Sequence, residues 1–461
     1  MPHQFEFHWT PQNVEHLETP FRRIKTPIPA PGTKEVLLRL QKVESRSMQG
    51  QLPIVWKSAD DFSVFDIGEN KYIDFTSTIF VANVGHSNKA IAESIRSSIN
   101  CNPLISSYAY LTEVRSDYIE KLIDFSGLAG YKAFLLSAGT EATEAVFKLM
   151  RMNGQSLGKR KRGIICIEGN WHGRTMGAQM MSSNIAQKRW IDNLDPDIHF
   201  IPFPYPWLQE ATLNPRLFAR KSFASLVDNG VNLETDIAGI MLETFQGWGA
   251  VFYPTDYVQE IKKICDEYSI VLAFDEMQSG FGRTSKSFGF EHYSVQPDLL
   301  ACGKGMGGGV PLSGVIGRPA IMDLPETGNM SSTHSANPLV CSAGLAVLNE
   351  LSENKLLQKS SELGEFFGDE LSLIRDKFPN VVSRICGKGM IYAIHFQDPS
   401  TNKPDSLLPS KICQICLQKG VLVVHTGRES IKLGPPLTIS KDALKEGIDV
   451  ISEAIGLALT S

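Results

Sequence analysis

The stretch Ile270–Arg283, IVLAFDEMQSGFGR, carries five apolar residues straight into two acids. An apolar run without alternation reads as a strand buried on both faces, as in a parallel sheet covered by helices on each side. Asp275 and Glu276 then fall at the carboxyl end of that strand, the edge at which open α/β sheets receive ligands. An acid there can neutralise a cationic ring nitrogen in a dry site; the plainer reading is an exposed loop acid.

The same rhythm extends outward from this strand. DYVQEIKKICDEY precedes it as an amphipathic segment, and KAFLLS, GIICIEG and AGIMLET are further short apolar runs ending in glycine or a polar residue. TEATEAVFKLMR supplies another amphipathic helix. Alternating runs of this kind predict an α/β fold with a mainly parallel sheet flanked by helices. Before it, IVWKSADDFSVFDIGENKYIDF predicts a hairpin around Gly68-Glu69-Asn70, and a short helix is expected near Lys34–Val43. After it, MIYAIHF and VLVVH with two helical segments predict a smaller α+β domain. The expected division is residues 1–80 as an N-terminal arm and part of the small domain, 81–345 as the large domain, and 346–461 as the C-terminal small domain.

Composition narrows the function. The 461 residues exceed what one core commonly holds, and 42% apolar with 21% charged residues is ordinary for a globular protein. A net charge of −5 gives no electrostatic reason to expect nucleic acid or an anionic membrane as partner. The basic cluster GKRKRG, Gly158–Gly163, reads as a solvated turn. No apolar stretch has the length of a membrane helix, and MPHQFEFHWTPQ lacks the regions of a signal peptide, so the expected location is cytoplasmic. The eight cysteines include a single CxxC, Cys413–Cys416, which reads as two helix positions; no metal site is expected.

Two further strand ends carry chemistry. In LLSAGTEATEAVFKLM, Gly139 and Thr140 open a helix whose free amides favour an anion; alternatively Ser137 or Thr140 simply caps it. In PDLLACGKGMGGGVPLSGVIG, a buried run delivers Lys304 among glycines. This is not a phosphate-binding P-loop, because Gly305 follows the lysine. Gly303, Gly305 and Gly308 match a dinucleotide fingerprint with Asp323 downstream, but VPLSGVIG reads as a strand where that motif needs a helix. The pentapeptide CGKGM recurs at Cys386–Met390.

Taken together, SAGTEATEA, NWHGRTMGA, LETFQG, FDEMQSGFGRT, PDLLACGKGMGGGVPLSGVIG, STHSANPLVCSAGLAVL and GPPLTI resemble the class III (ω-type) aminotransferases, pyridoxal-phosphate enzymes of fold type I. The resemblance runs from about Pro53 to Ser440. It implies that Lys304 forms the internal aldimine, that Asp275 pairs with the pyridinium nitrogen, and that Gln278 lies near the ring hydroxyl. It implies that Gly139 and Thr140 cradle the phosphate, that Trp171 stacks on the ring, and that Glu243 orients the site. Thr333 matches a threonine reaching the neighbouring subunit's phosphate, which implies a homodimer. The second CGKGM falls where the family has a glycine-bracketed turn, so Lys388 carries no chemistry.

Departures from the family bear on substrate. Many members pair a glutamate with an arginine; Trp248 and Lys432 stand at those two places, and Ile79 and Phe80 match positions lining the substrate entrance. The resemblance implies transfer of an amino group from a primary amine (an ω-amino acid, diamine or amino sugar) to an oxo acid such as pyruvate or 2-oxoglutarate, by ping-pong half-reactions. A racemase or aminomutase on the same scaffold is the alternative, and a non-catalytic binding or assembly homologue a remote one.

Overall fold

The apolar run ahead of Asp275 is a central strand of a seven-stranded sheet. The computed structural model describes residues 5–48, 52–101, 104–160, 162–207 and 214–460. The sheet belongs to a unit formed by Lys89–Gly247 and Val251–Lys355. Its strands are β1 (Lys132–Leu136), β2 (Gly163–Ile167), β3 (Ile198–Ile201), β4 (Ile237–Glu243), β5 (Val271–Asp275), β6 (Leu299–Cys302) and β7 (Ser313–Gly317). Their spatial order is β1-β7-β6-β5-β4-β2-β3. Only β7 runs antiparallel to its neighbours. The interior strands β2, β4, β5 and β6 are buried along their whole length, which is why their sequences do not alternate.

Helix α1 (Gly139–Ser156) lies across this sheet. Ala142, Ala145, Val146, Leu149 and Met150 form its buried stripe, at the three- and four-residue spacing of one helical face. They pack into one core with Ile164 and Cys166 of β2, Ala238 and Met241 of β4, Ala273 of β5, Ala301 of β6 and Val315 of β7. Small residues on the middle strands admit the helix; each buried Val or Leu contributes about 1.5–3 kcal/mol. The expected cap is absent: neither Ser137 nor Thr140 closes the helix start. Glu141 instead reaches back and accepts from the amides of Ser137 (3.0 Å) and Ala138 (2.9 Å).

The basic cluster is more than a solvated turn. Arg160 forms a bidentate pair with Asp236 at 2.9–3.0 Å, and Lys159 donates to the carbonyls of Glu234 (2.8 Å) and Tyr268 (3.0 Å). Asp236 is buried just before β4, and a buried carboxylate needs such a partner. Lys161 lies outside the described residues.

The second unit gathers the described residues up to Asn88, Trp248–Ala250, and those from Leu356 onward. Trp56–Asp60, Ser63–Asp66 and Lys71–Asp74 form an antiparallel meander, with Gly68-Glu69-Asn70 in its second turn. Val421–Leu422 joins this sheet in parallel, so both chain ends contribute to one layer. The helix expected near Lys34–Val43 spans Thr33–Val43. Cys413 and Cys416 are buried positions of the helix Leu407–Gln418. A four-stranded antiparallel sheet runs in the order Val382–Lys388, Ile391–Phe396, Ser430–Leu433, Val424–His425.

The second CGKGM closes the first hairpin of that sheet. Lys388 is the last strand residue, paired with Ile391, and the turn itself is Gly389-Met390. Gly389 takes φ 60°, which glycine adopts without strain. The helix Leu356–Lys377 rests directly on this turn: a Cβ at Gly364 would lie 2.6 Å from Gly389 Cα. Backbone cannot yield as a side chain can, so Gly364→Ala is expected to lower the unfolding free energy by about 1–3 kcal/mol, read from denaturant melts.

Candidate active site

The strand alignment sets the chemistry side by side. Asp275, the last residue of β5, pairs with Glu243 at the end of β4 and with Ala301 of β6. Lys304 follows three residues beyond Ala301, and the first turn of α1 opens three residues beyond the end of β1. A cavity of about 320 Å³ opens at this edge and is lined by Gly139, Thr140, Trp171, Glu243, Asp275, Gln278 and Lys304.

The two adjacent acids separate cleanly. Glu276 is fully buried and accepts from Thr244 Oγ1 (2.7 Å), the amides of Gly289 (2.9 Å) and Phe290 (2.6 Å), and Ser279 Oγ. It braces loops. Asp275, 6% exposed, faces the cavity. Its Oδ2 accepts from His172 Nδ1 at 2.8 Å, and its Oδ1 from the Met277 amide at 3.1 Å. Asn170 Nδ2 donates in turn to His172 Nε2 at 2.7 Å, which fixes the ring's orientation.

The residues Trp171–Thr175 form a loop locked onto the start of α1. Thr140 Oγ1 bonds Thr175 Oγ1 at 2.7 Å and accepts from the amides of Arg174 and Thr175, each at 3.3 Å. Gly173, at φ 144°, makes this approach possible, since a Cβ there would lie 2.4 Å from Thr140 Oγ1. The loop delivers Trp171 to one cavity wall, with the Arg174 guanidinium 5.7 Å from the Trp171 ring centroid.

Lys304 opens a short 3-10 turn at φ 49°, a left-handed conformation that costs a non-glycine residue free energy and recurs at functional sites. Burial lowers its pKa, while the Asp275 and Glu243 carboxylates act in the opposite sense. A bulky planar cofactor with an aldehyde, an anionic phosphate and a basic ring nitrogen fits this donor set. The lysine offers an amine, the start of α1 an anion site, Asp275 a carboxylate and Trp171 a flat apolar wall.

Five other sequence candidates are not among the residues lining this cavity. Thr333 is exposed, in a segment whose neighbours Ser331, Ser332 and Ser335 line a different cavity with Tyr108 and Arg115. Trp248, Lys432, Ile79 and Phe80 belong to the other unit. There Ile79 is exposed, Phe80 is buried, and both sit in a left-handed turn spanning Ser77–Phe80 (φ 45–68°). Arg174 is a functional candidate that the sequence does not single out, and His172 stands out there only as part of the motif around Trp171. His172 and its acid are 103 positions apart, and only the NWHGRT block itself hinted at them.

The Lys304 pKa has a direct consequence. In cofactor-free protein, labelling of Lys304 by an amine-directed acylating reagent should titrate below the ordinary lysine value of 10.5. Glu243→Gln removes a charge that favours the ammonium, so the midpoint should fall further. A midpoint at or above 10.5 would contradict the burial argument.

Comparison with known proteins agrees with this geometry. Residues 45–455 match the model of the family described as aminotransferase class-III. An alanine/serine racemase of Pyrococcus horikoshii is 29% identical over 98% of this chain and 97% of its own. A probable 4-aminobutyrate aminotransferase of Bacillus subtilis is 30% identical over 85% of this chain and 90% of its own. A transaminase from the marine bacterium Virgibacillus superposes with a TM-score of 0.84 at 24% identity, covering 92% of this chain and 99% of that one, which supports the fold. The chain therefore belongs to the class III aminotransferases, the pyridoxal-phosphate-dependent transaminases of fold type I.

Proposed function

We propose that the Lys304 cavity carries amino transfer from a carboxylate-bearing primary amine to an oxo acid. The observation that supports this most is a single cavity wall set: a lysine of lowered pKa, and an acid oriented by a histidine–asparagine chain. When bound, pyridoxal phosphate supplies an electron sink for a carbanion adjacent to nitrogen.

The chain's own residues do the rest. Gly139 and Thr140 would hold the phosphate at the positive end of α1. Trp171 would cover one face of the ring, worth about 1 kcal/mol beyond its buried area. Asp275, held by His172, would accept the N–H of the ring nitrogen, and Gln278 and Glu243 would orient the cofactor. Lys304 Nζ, whose burial favours the neutral amine over the ammonium, would be the group that moves a proton from the substrate carbon. Arg174 is a guanidinium on the cavity wall, suited to a bidentate hold on the donor's carboxylate. The active form in this reading is a cytoplasmic homodimer in which Thr333 of one copy reaches the phosphate site of the next.

The likeness to the Pyrococcus horikoshii racemase across 98% of this chain favours a second reading, isomerisation of one amino acid without an acceptor. Both need Lys304, so Lys304→Ala should abolish the holoenzyme's lysine-dependent visible absorbance and reduce turnover at least about 100-fold. A single-enantiomer amino acid without oxo acid should convert about one equivalent per site and stop. Continued racemisation under those conditions would establish the second reading.

A further inference from the structure

Asn170 stands three residues beyond the end of β2 and is 3% exposed. Its backbone is pinned on both sides: its amide donates to the Ile167 carbonyl and its carbonyl accepts from the Ser183 amide, each at 3.2 Å. Gly169, at φ 83°, turns the chain so that the Asn170 side chain reaches both Cys166 of β2 and His172 of the Trp171 loop.

A carboxamide presents two unlike edges. Its nitrogen edge only donates and requires a lone pair on the ring nitrogen it meets; its oxygen edge only accepts and would require a proton there. Nδ2 is the atom that meets His172 Nε2, at 2.7 Å. The amide also donates toward the Cys166 sulfur, while Oδ1 is buried and accepts from none of the described residues. Turned over, the side chain would satisfy one oxygen and bury an unpaired N–H edge in its place. Buried donors without partners are the rarer of the two faults.

The other side of the imidazole makes the opposite demand. Nδ1 lies 2.8 Å from Asp275 Oδ2, and a carboxylate oxygen calls for a proton on Nδ1. Among the described residues no carboxylate reaches Nε2. Ser182 Oγ accepts from the His172 amide and Thr143 Oγ1 donates to its carbonyl, each at 2.8 Å, so the buried ring stands on a fixed stem.

We propose that Asn170 is a positioning residue that fixes His172 as the neutral imidazole with its proton on Nδ1, so that Asp275 keeps its full negative charge for the cofactor's ring nitrogen. Two N–H groups cannot face one another at hydrogen-bond distance, so a donor at Nε2 excludes the imidazolium. An imidazolium there would share the Asp275 charge, and the ring nitrogen would hold its proton less firmly. The inference rests on the cofactor placement given above and holds whether the reaction transfers an amino group or racemises.

The test is the nitrogen NMR spectrum of His172 in protein isotopically labelled at its histidine rings, assigned by difference from His172→Gln. In the wild type at neutral pH, with cofactor and without it, Nδ1 should give a protonated signal and Nε2 an unprotonated one. In Asn170→Asp, whose carboxylate requires a proton on Nε2, both signals should be protonated. There kcat should fall roughly 10–100-fold, the usual weight of a partner that sets the state of a working histidine. Asn170→Leu, close in volume and without charge, should lose less. A protonated Nε2 in the wild type would overturn the assignment even where a variant does not fold. Equal losses of kcat in the Asp and Leu variants would overturn it too, since packing alone would explain them. Asp275→Asn with unchanged turnover would instead overturn the cofactor placement, whatever the His172 signals show.

Discussion

The contact on which the site depends is the hydrogen bond between Asp275 Oδ2 and His172 Nδ1. A carboxylate at the end of a strand buried on both faces has lost most of its water, and without partners it would be costly to keep. His172 and the Met277 amide supply those partners and also fix where the carboxylate points. Because Asn170 holds the far side of the imidazole, the acid cannot turn toward solvent without breaking a chain of three residues. Lys304 and Glu243, on neighbouring strand ends, then face an acid of fixed orientation rather than a mobile one.

That arrangement follows from packing one layer below. β4, β5 and β6 are held in parallel alignment by backbone bonds, so their carboxyl ends finish level and the groups beyond them converge. The small side chains Ala238, Ala273 and Ala301 let α1 settle on the sheet, and its first turn then arrives at the same edge. The Gly173 approach couples the Trp171 loop to that turn. A larger residue anywhere along this stack would move the Gly139–Thr140 end of the cavity relative to Asp275. Shifts of about an ångström are enough to misalign reacting groups.

Much of this was legible in the sequence because it rests on local pattern. Non-alternating apolar runs announced a doubly covered sheet, and the residues just past them, Gly139, Asp275 and Lys304, are the ones the fold gathers. What was not legible depends on pairing across long separations. Nothing in FDEM says which acid faces a ligand; Glu276 is withdrawn by four donors from Thr244, Ser279, Gly289 and Phe290, two of them main-chain amides far along the chain. The Arg160–Asp236 brace is hidden in the sequence for the same reason, since a basic run reads as solvated without the buried acid it serves. At the start of α1 the difference has another source. Ser137 and Thr140 are good capping residues by type, but Glu141 takes the amides first, and that leaves the Thr140 hydroxyl to tie down the loop that carries Trp171.

The duplicated pentapeptide isolates what tertiary context adds. Both copies of CGKGM leave a strand, and both put a lysine between glycines. In the first, β6 ends at Cys302 and Lys304 is forced to φ 49°, a conformation that aims its amine into the cavity beside two carboxylates. In the second, the strand continues through Lys388 and its register with Ile391 leaves only two residues for the turn. The lysine there keeps an extended backbone, and the left-handed conformation passes to Gly389, where it costs little. Five identical residues thus divide the same strain in opposite ways. Where a hairpin must close, glycine takes it; where an amine must be presented, the lysine bears it, and the surrounding strands stabilise a geometry that the pentapeptide alone would not choose.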